Sequence, residues 1–302
     1  AAWPASLALL ALFAWLVDGA AVVSVRRAAW TGWAFGCGWL TAGTWWLFVS
    51  MHRYGGMPAP LAALAVWLLA AALSLYLGVV MAAYARWRPA GTWARALLFA
   101  ACWLAAELAR GVFFTGFPWL ASGYAQVDGP LAGYAPWLGV YGIGALAAWI
   151  AALLAAPAAG WRARLPRLAA LLLLLAIGPL AGRDTSRPAG TIEVSLLQPN
   201  VAQESKFAAD QMDAALQWLT TALREAPGDL VVAPETAVPL LPAQLGTERW
   251  RALRDPFSAA GGRRAALVGM PLGRDDNYTN SAVGFAPPPA ASAAAPAAAD
   301  DA

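Results

Sequence analysis

Glu235 stands where the apolar run Leu230-Val231-Val232-Ala233-Pro234 ends, so its carboxylate leaves a strand-like segment at the start of a turn. A carboxylate so placed is partly desolvated, which favours proton uptake and suits the group to general-base work. The bland alternative is a solvated glutamate that merely opens a turn. Other chemistry-bearing side chains are few. Lys206 is the only lysine and lies in Gln203-Glu204-Ser205-Lys206-Phe207. The two cysteines, Cys37 and Cys102, sit inside apolar segments, where they read as small buried hydrophobes rather than disulfide or metal partners. A thiolate there would be poorly solvated, so neither suits a nucleophile. Glu107 and Arg110 are three apart in apolar sequence and share a helix face. A lone charge at mid-bilayer costs about 2.5 to 3.5 kcal/mol on insertion scales, so this pair reads as structural ahead of catalytic, with both roles open. No cofactor and no metal ion is expected.

The elements that must position these groups begin with a membrane part. Of 302 residues 60% are apolar and only 12% charged, with 17 tryptophans, which describes a chain whose solvent is largely lipid. The net charge of +3 comes from arginines scattered between apolar segments, not from a basic run, so nucleic acid is not an expected partner. Stretches of about 20 apolar residues predict six spans, near residues 3 to 23, 29 to 51, 59 to 85, 93 to 113, 132 to 157 and 168 to 182. Arg26, Arg27, Arg86, Arg88, Arg95, Arg162, Arg164 and Arg167 fall in or beside the odd-numbered loops, whereas the second loop offers only His52 and Arg53. Odd loops therefore face the cytoplasm, and everything after Arg183 lies on the far side of the membrane. The fourth loop, from Gly116-Phe117-Pro118-Trp119 to Pro130, mixes turn formers with aromatics. Anchoring at headgroup depth and substrate contact both suit it. The start, Ala1-Ala2-Trp3-Pro4, lacks an initiator Met and a basic leader, so the chain is expected to begin inside a longer reading frame, with room for a preceding span.

After a linker at 183–190 the period of the sequence changes. Ile192 to Leu197 has the composition of a mostly buried strand, and residues 208 to 226 carry Met212, Leu216, Leu219 and Leu223 at helical spacing. Strands at Leu230 to Ala233, Ala265 to Met270 and Tyr278 to Phe285, with a helix over 243 to 260, complete an α/β layer pattern over 191–285. Residues 286–302 are Ala and Pro with one Ser and two Asp, and are expected to be disordered. About 100 residues are thin for an enzyme domain, so this part looks cut short.

A series of ordered motifs now carries a family resemblance. Trp46-Leu47-Phe48-Val49-Ser50 with Gly55-Gly56-Met57-Pro58, then Glu107 to Arg110 with Thr115-Gly116-Phe117-Pro118-Trp119, then Gly123-Tyr124 and Gln126-Val127-Asp128-Gly129-Pro130-Leu131, resemble the apolipoprotein N-acyltransferases. In the polar half, Gln198-Pro199-Asn200 resembles the end of the family's first nitrilase-type strand. Pro234-Glu235-Thr236-Ala237-Val238-Pro239 resembles its catalytic glutamate motif, and Tyr278-Thr279-Asn280-Ser281 fits the strand after it. The likeness runs from residue 3 to about 286.

The resemblance implies a multi-span α-helical membrane domain over 1–182 followed by a partial nitrilase-like αββα domain in the periplasm, in the inner membrane of a Gram-negative bacterium. It implies transfer of an acyl chain from a phospholipid, typically phosphatidylethanolamine, to the α-amino group of a diacylglyceryl-cysteine on an apolipoprotein. The family's glutamate takes the thiol proton, the thiolate attacks the lipid ester, a lysine stabilises the oxyanion, and the incoming amine opens the thioester. Glu235 matches the glutamate. The family's lysine and cysteine come later than the strand that Tyr278 to Phe285 resembles, so the triad is incomplete here and the chain as given is expected to be inactive. Lys206 and Phe207 match positions bordering the substrate entrance, with Phe207 departing from the tryptophan usual there. Two other readings stand beside this one. A transporter or scaffold would place ionisable groups at the bilayer midplane. A non-catalytic remnant would keep lipid or lipoprotein binding without the chemistry.

Overall fold

The computed structural model describes residues 2–157, 160–181, 186–200, 209–259, 262–274 and 276–288. The chain divides into two compact units, Ala1–Arg187 and Pro188–Ala302. The sequence places its linker at 183–190. Residues 182–185 and 289–302, and with them most of the tail expected to be disordered, lie outside the described residues.

The first unit is helical: α1 Trp3–Val23, α2 Val25–Gly43, a short α3 Trp46–Val49 running into a π-turn at Ser50–Tyr54, α4 Ala59–Trp87, α5 Thr92–Val112, α6 Ala135–Ala155 and α7 Trp161–Ala181. These helices fall on the six stretches expected to cross a membrane. Among the described residues four segments are long and apolar enough to do so: Trp3–Val23, Ala59–Trp87, Thr92–Thr115 and Ala132–Ala155. α2 and α7 are less apolar for a visible reason. Arg26 and Arg27 open α2, and Arg162, Arg164 and Arg167 occupy the first turns of α7. The second expected span, 29 to 51, is shorter than its composition suggests because the helix breaks after Gly43.

Packing of this unit rests on small residues and aromatic rings. α2 lies closely against α4 where Gly32 faces Met81: a Cβ on Gly32 would stand 2.8 Å from the Leu77 carbonyl oxygen. Close backbone approach of this kind is how helices gain van der Waals contact when lipid removes the hydrophobic advantage of burial. Inside, Phe13 of α1 stacks on Phe35 of α2 at 4.1 Å between ring centroids, and Trp39 stacks on Trp103 of α5 at 5.3 Å. Phe13, Phe99 and Trp103 are fully buried.

The second unit alternates as the sequence predicts: β1 Val194–Leu196, α8 Ala209–Glu225, β2 Leu230–Val232, α9 Pro242–Arg254, β3 Ala265–Arg274 and β4 Asn277–Phe285. The four strands form one sheet in the order β1-β2-β3-β4, with the first three parallel and β4 antiparallel to β3. Parallel neighbours need crossovers, which α8 and α9 supply. Their apolar stripes, Leu216, Leu219 and Leu223 on α8 and Leu245 and Leu253 on α9, join Val231, Val268 and Met270 of the sheet in one core. Arg264 fixes the start of β3 to the end of α8 by donating to the carbonyls of Leu223, Arg224 and Ala226 at 2.7, 3.1 and 2.6 Å, acceptors that a helix C-terminus leaves unpaired. One expectation fails. β1 is not mostly buried, since Val194 and Leu196 are exposed, and the reason is its place at the edge of the described sheet with β2 as its neighbour.

Candidate functional site

The site forms where three strands end. β1, β2 and β3 run parallel, so the segments after Leu196 and Val232 emerge on one side of the sheet. The side beyond the carboxyl ends of parallel strands is where α/β folds bind their ligands. β4 returns antiparallel, and its early residue Asn280 pairs with Pro271, which brings Asn280 to the same side.

The turn after β2 is bound to β3 along its length. Ala233 donates its backbone N–H to the Leu267 carbonyl at 2.8 Å, and Val238 donates to the Gly269 carbonyl at 3.2 Å. Between these two anchors Ala237 closes on the Pro234 carbonyl at 3.2 Å, and Thr236 takes a left-handed backbone with φ of 54°. Val238 is fully buried and pins the far side. The turn lies so close to β3 that a Cβ on Gly269 would stand 2.7 Å from the Glu235 Cα and 2.9 Å from the Thr236 nitrogen, and closer still to the Pro234 carbonyl oxygen. Only glycine permits this approach.

Glu235 projects from that turn, and Asn280 Nδ2 donates to its Oε1. The carboxylate borders a cavity of about 170 Å³ lined by Pro199 and Asn200 after β1, by Trp218 of α8, and by Pro234, Thr236 and Pro239 of the turn. A carboxylate at a cleft is placed to receive a proton brought to it, which is what a general base requires. Glu235 is exposed, so the partial desolvation that the sequence suggested is not found. The turn carries its side chain off the apolar sheet to the open ends of the strands.

Other residues singled out by the sequence stand elsewhere. Lys206 and Phe207 lie outside the described residues. Cys37 and Cys102 are buried free thiols in α2 and α5. Glu107 and Arg110 are both buried in α5 and both fastened to the fourth loop. Glu107 accepts the Ser122 backbone N–H at 2.7 Å and lies 3.1 Å from the Ser122 hydroxyl, which itself accepts the Trp103 indole N–H. Arg110 donates to the carbonyls of Phe117, Trp119 and Leu120 and lies over the Trp39 ring. The two side chains are 3.8 Å apart. Buried charges so fully hydrogen-bonded hold the loop against the helix.

Asn280 and Gly269 are the members of the site that sequence reading missed. A glycine inside the apolar strand Ala265 to Met270 was a signal, since glycine mid-strand marks a close approach of another backbone. Asn280 stood in the quoted motif Tyr278-Thr279-Asn280-Ser281, but its contact with Glu235 was not read there, because it depends on the register of β3 with β4.

Comparison with known proteins adds to this geometry. The family described as the apolipoprotein N-acyltransferase N-terminal domain matches residues 1–153. A protein named apolipoprotein N-acyltransferase from Verminephrobacter eiseniae is 46% identical over 94% of this chain and 56% of its own length. Proteins of the same name from Ralstonia nicotianae and Azotobacter vinelandii are 44% and 41% identical over 87% and 90% of this chain, and 51% and 53% of their own lengths. The chain thus spans about half the length of the curated relatives it matches.

Replacing Gly269 by valine should drive the Pro234–Val238 turn off β3. Overpacking costs about 1 to 3 kcal/mol. Hydrogen exchange measured at the Val238 amide should accelerate, while that of Val231 in β2 keeps most of its protection. Unchanged exchange at Val238 would show that the turn does not depend on the contact.

Proposed function

Because this chain belongs to the apolipoprotein N-acyltransferase family, we propose that the whole protein moves an acyl chain from a phospholipid to the α-amino group of a diacylglyceryl-cysteine, with Glu235 as the general base. The observation that carries this reading is the clamped turn, which holds a carboxylate beside a cavity at the carboxyl ends of parallel strands. In the proposed first half-reaction Glu235 accepts the proton of a cysteine thiol, the thiolate attacks the ester carbonyl, and the lysophospholipid leaves with a thioester remaining on the protein. In the second, the substrate amine attacks the thioester, the amide forms and the thiol is regenerated. The family's lysine would stabilise the oxyanion of each tetrahedral intermediate.

Within the 302 residues, both cysteines precede Glu235 and lie in the helical unit, and the one lysine is Lys206. We therefore assign to these residues the base and part of the cavity, and no thioester chemistry of their own. Lys206 and Phe207 are proposed to border the substrate entrance. The partners of the whole protein are a phospholipid donor of the phosphatidylethanolamine type and an apolipoprotein acceptor, and no cofactor is required by this chemistry.

The proposed setting is the inner membrane, with the α/β unit in the periplasm. The apolar helices support a membrane location, and the arginine distribution supports the orientation. A dual reporter fused after Arg187 should report the periplasmic side. Cytoplasmic reporter activity at that position would overturn the orientation and the lipoprotein reading with it.

In a protein of the relatives' full length, Glu235→Gln keeps the size of the side chain and removes the basic oxygen. N-acylation should fall about 10² to 10⁴-fold, with the fold intact by circular dichroism. Near wild-type acylation by that variant would reduce Glu235 to a structural residue.

A further inference from the structure

At the end of the bundle bordered by the arginine-bearing loops, one carboxylate is surrounded by guanidinium groups. Asp18 of α1 accepts from Tyr84 at 2.8 Å, from Arg88 Nε and Nη2 at 2.7 and 2.9 Å, and from Arg95 Nη1 at 3.2 Å. Arg167 of α7 reaches the same place, donating to the carbonyls of Ala156 and Pro157 at 2.8 and 3.2 Å and lying 3.5 Å from the Thr92 hydroxyl. None of these ionised groups is well solvated. Arg88 and Asp18 are each 23% exposed at the side chain and Arg95 18%, and Arg167 is 9% exposed as a residue. Among the described residues two guanidinium groups, Arg88 and Arg95, meet the one carboxylate, an imbalance of one, and Arg167 adds a further positive charge behind Thr92, Ala156 and Pro157.

Asp18, Tyr84, Thr92 and Arg95, together with Ala156 and Pro157, form one wall of a cavity of about 530 Å³, a size in the range of small-molecule sites. The rest of its lining is apolar, including Ala14, Ala96, Phe99, Ala152 and Ala155. Its rim on α1 is made by Trp15, Leu16 and Val22, which are 59%, 43% and 70% exposed and therefore face the lipid side of the helix. Arg95 spends one Nη1 proton on Asp18 and one Nη2 proton on the Ala90 carbonyl at 3.1 Å, which leaves a second proton on each nitrogen. Excess positive charge at poorly solvated guanidinium groups is stabilised by an anion, and a phosphodiester is the anion that guanidinium forks fit.

We propose that this cavity binds the headgroup of an anionic phospholipid, with the phosphodiester on Arg95 and Thr92 and the first methylenes of an acyl chain against Ala152, Ala155 and Phe99. The lateral rim and the apolar wall favour a lipid over free phosphate, which would gain nothing from them. Arg95 and Glu107 are both on α5, twelve residues and about 18 Å apart at 1.5 Å per residue, so this lipid lies towards the opposite end of the helix from the Glu107–Ser122 clamp. The site is independent of the acyl-transfer reading, since nothing in it bears on Glu235.

The test is native mass spectrometry of the full chain, purified in mild detergent and exposed to phosphatidylglycerol or phosphatidylcholine. Wild type should retain a phosphatidylglycerol adduct in preference to phosphatidylcholine, and inorganic phosphate should not displace it. Arg95→Gln, which removes the charge, and Ala155→Phe, which fills the cavity and leaves the arginine cluster untouched, should each cut the adduct about tenfold. Full retention by a folded Ala155→Phe would mean ordinary annular association, and displacement by inorganic phosphate would mean a soluble-anion site. Absence of any wild-type preference between the two lipids would also overturn the proposal.

Discussion

The backbone of the turn at Pro234–Thr236 lies directly on Gly269 of β3, nearer than any side chain would allow. From that contact the rest of the α/β site follows. The two anchoring bonds, Ala233 to Leu267 and Val238 to Gly269, exist because the turn can reach β3, and the left-handed Thr236 is held by them. Strain at Thr236 is the kind that persists only where surrounding structure over-determines it. Glu235, caught between the two anchors, cannot follow the apolar strand into the core and is presented at the strand ends. Register does the remainder: β4 places Asn280 opposite Pro271, within reach of the carboxylate.

The helical unit solves a related problem with charge. Glu107 and Arg110 are buried, and each is satisfied chiefly by the fourth loop and less by the other, at 3.8 Å. A buried ion pair is weak evidence for stability, but here the hydrogen bonds to Ser122 and to three loop carbonyls fix a non-helical segment against α5. Asp18 plays the corresponding part towards the other end of the bundle, where it joins α1 to Arg88 and Arg95. The transporter reading would have ionisable groups meeting halfway along the helices. The ion pairs described in this unit gather towards the helix ends instead.

Much of this was legible in the residues. The α/β alternation could be read because apolar strands of four to six residues and the Leu216, Leu219, Leu223 stripe have different periods. The place of Glu235 at a strand exit could be read for the same reason. Its exposure could not, because the direction in which a side chain leaves a turn depends on the backbone beyond it, and that backbone is set by Gly269 some thirty residues later. The Asp18 cluster was equally hidden. Asp18 lies 70 residues from Arg88 and 77 from Arg95, and only helix packing makes them neighbours. α2 and α7 begin before the expected spans, which start at 29 and 168, because Arg26, Arg27, Arg162, Arg164 and Arg167, read from the sequence as loop residues, lie within the first turns of these helices.

The claim that Gly269 matters only by placing Glu235 is open to a double-mutant cycle in a protein of the relatives' full length, with the rate of lipoprotein N-acylation measured for Gly269→Ala, Glu235→Gln and the two together. If the close contact serves the carboxylate, the double variant will be no slower than Glu235→Gln alone, since a misplaced turn costs nothing once the base is gone. Losses that multiply in the double variant would show that Gly269 and Glu235 act separately, and would contradict the dependence described here.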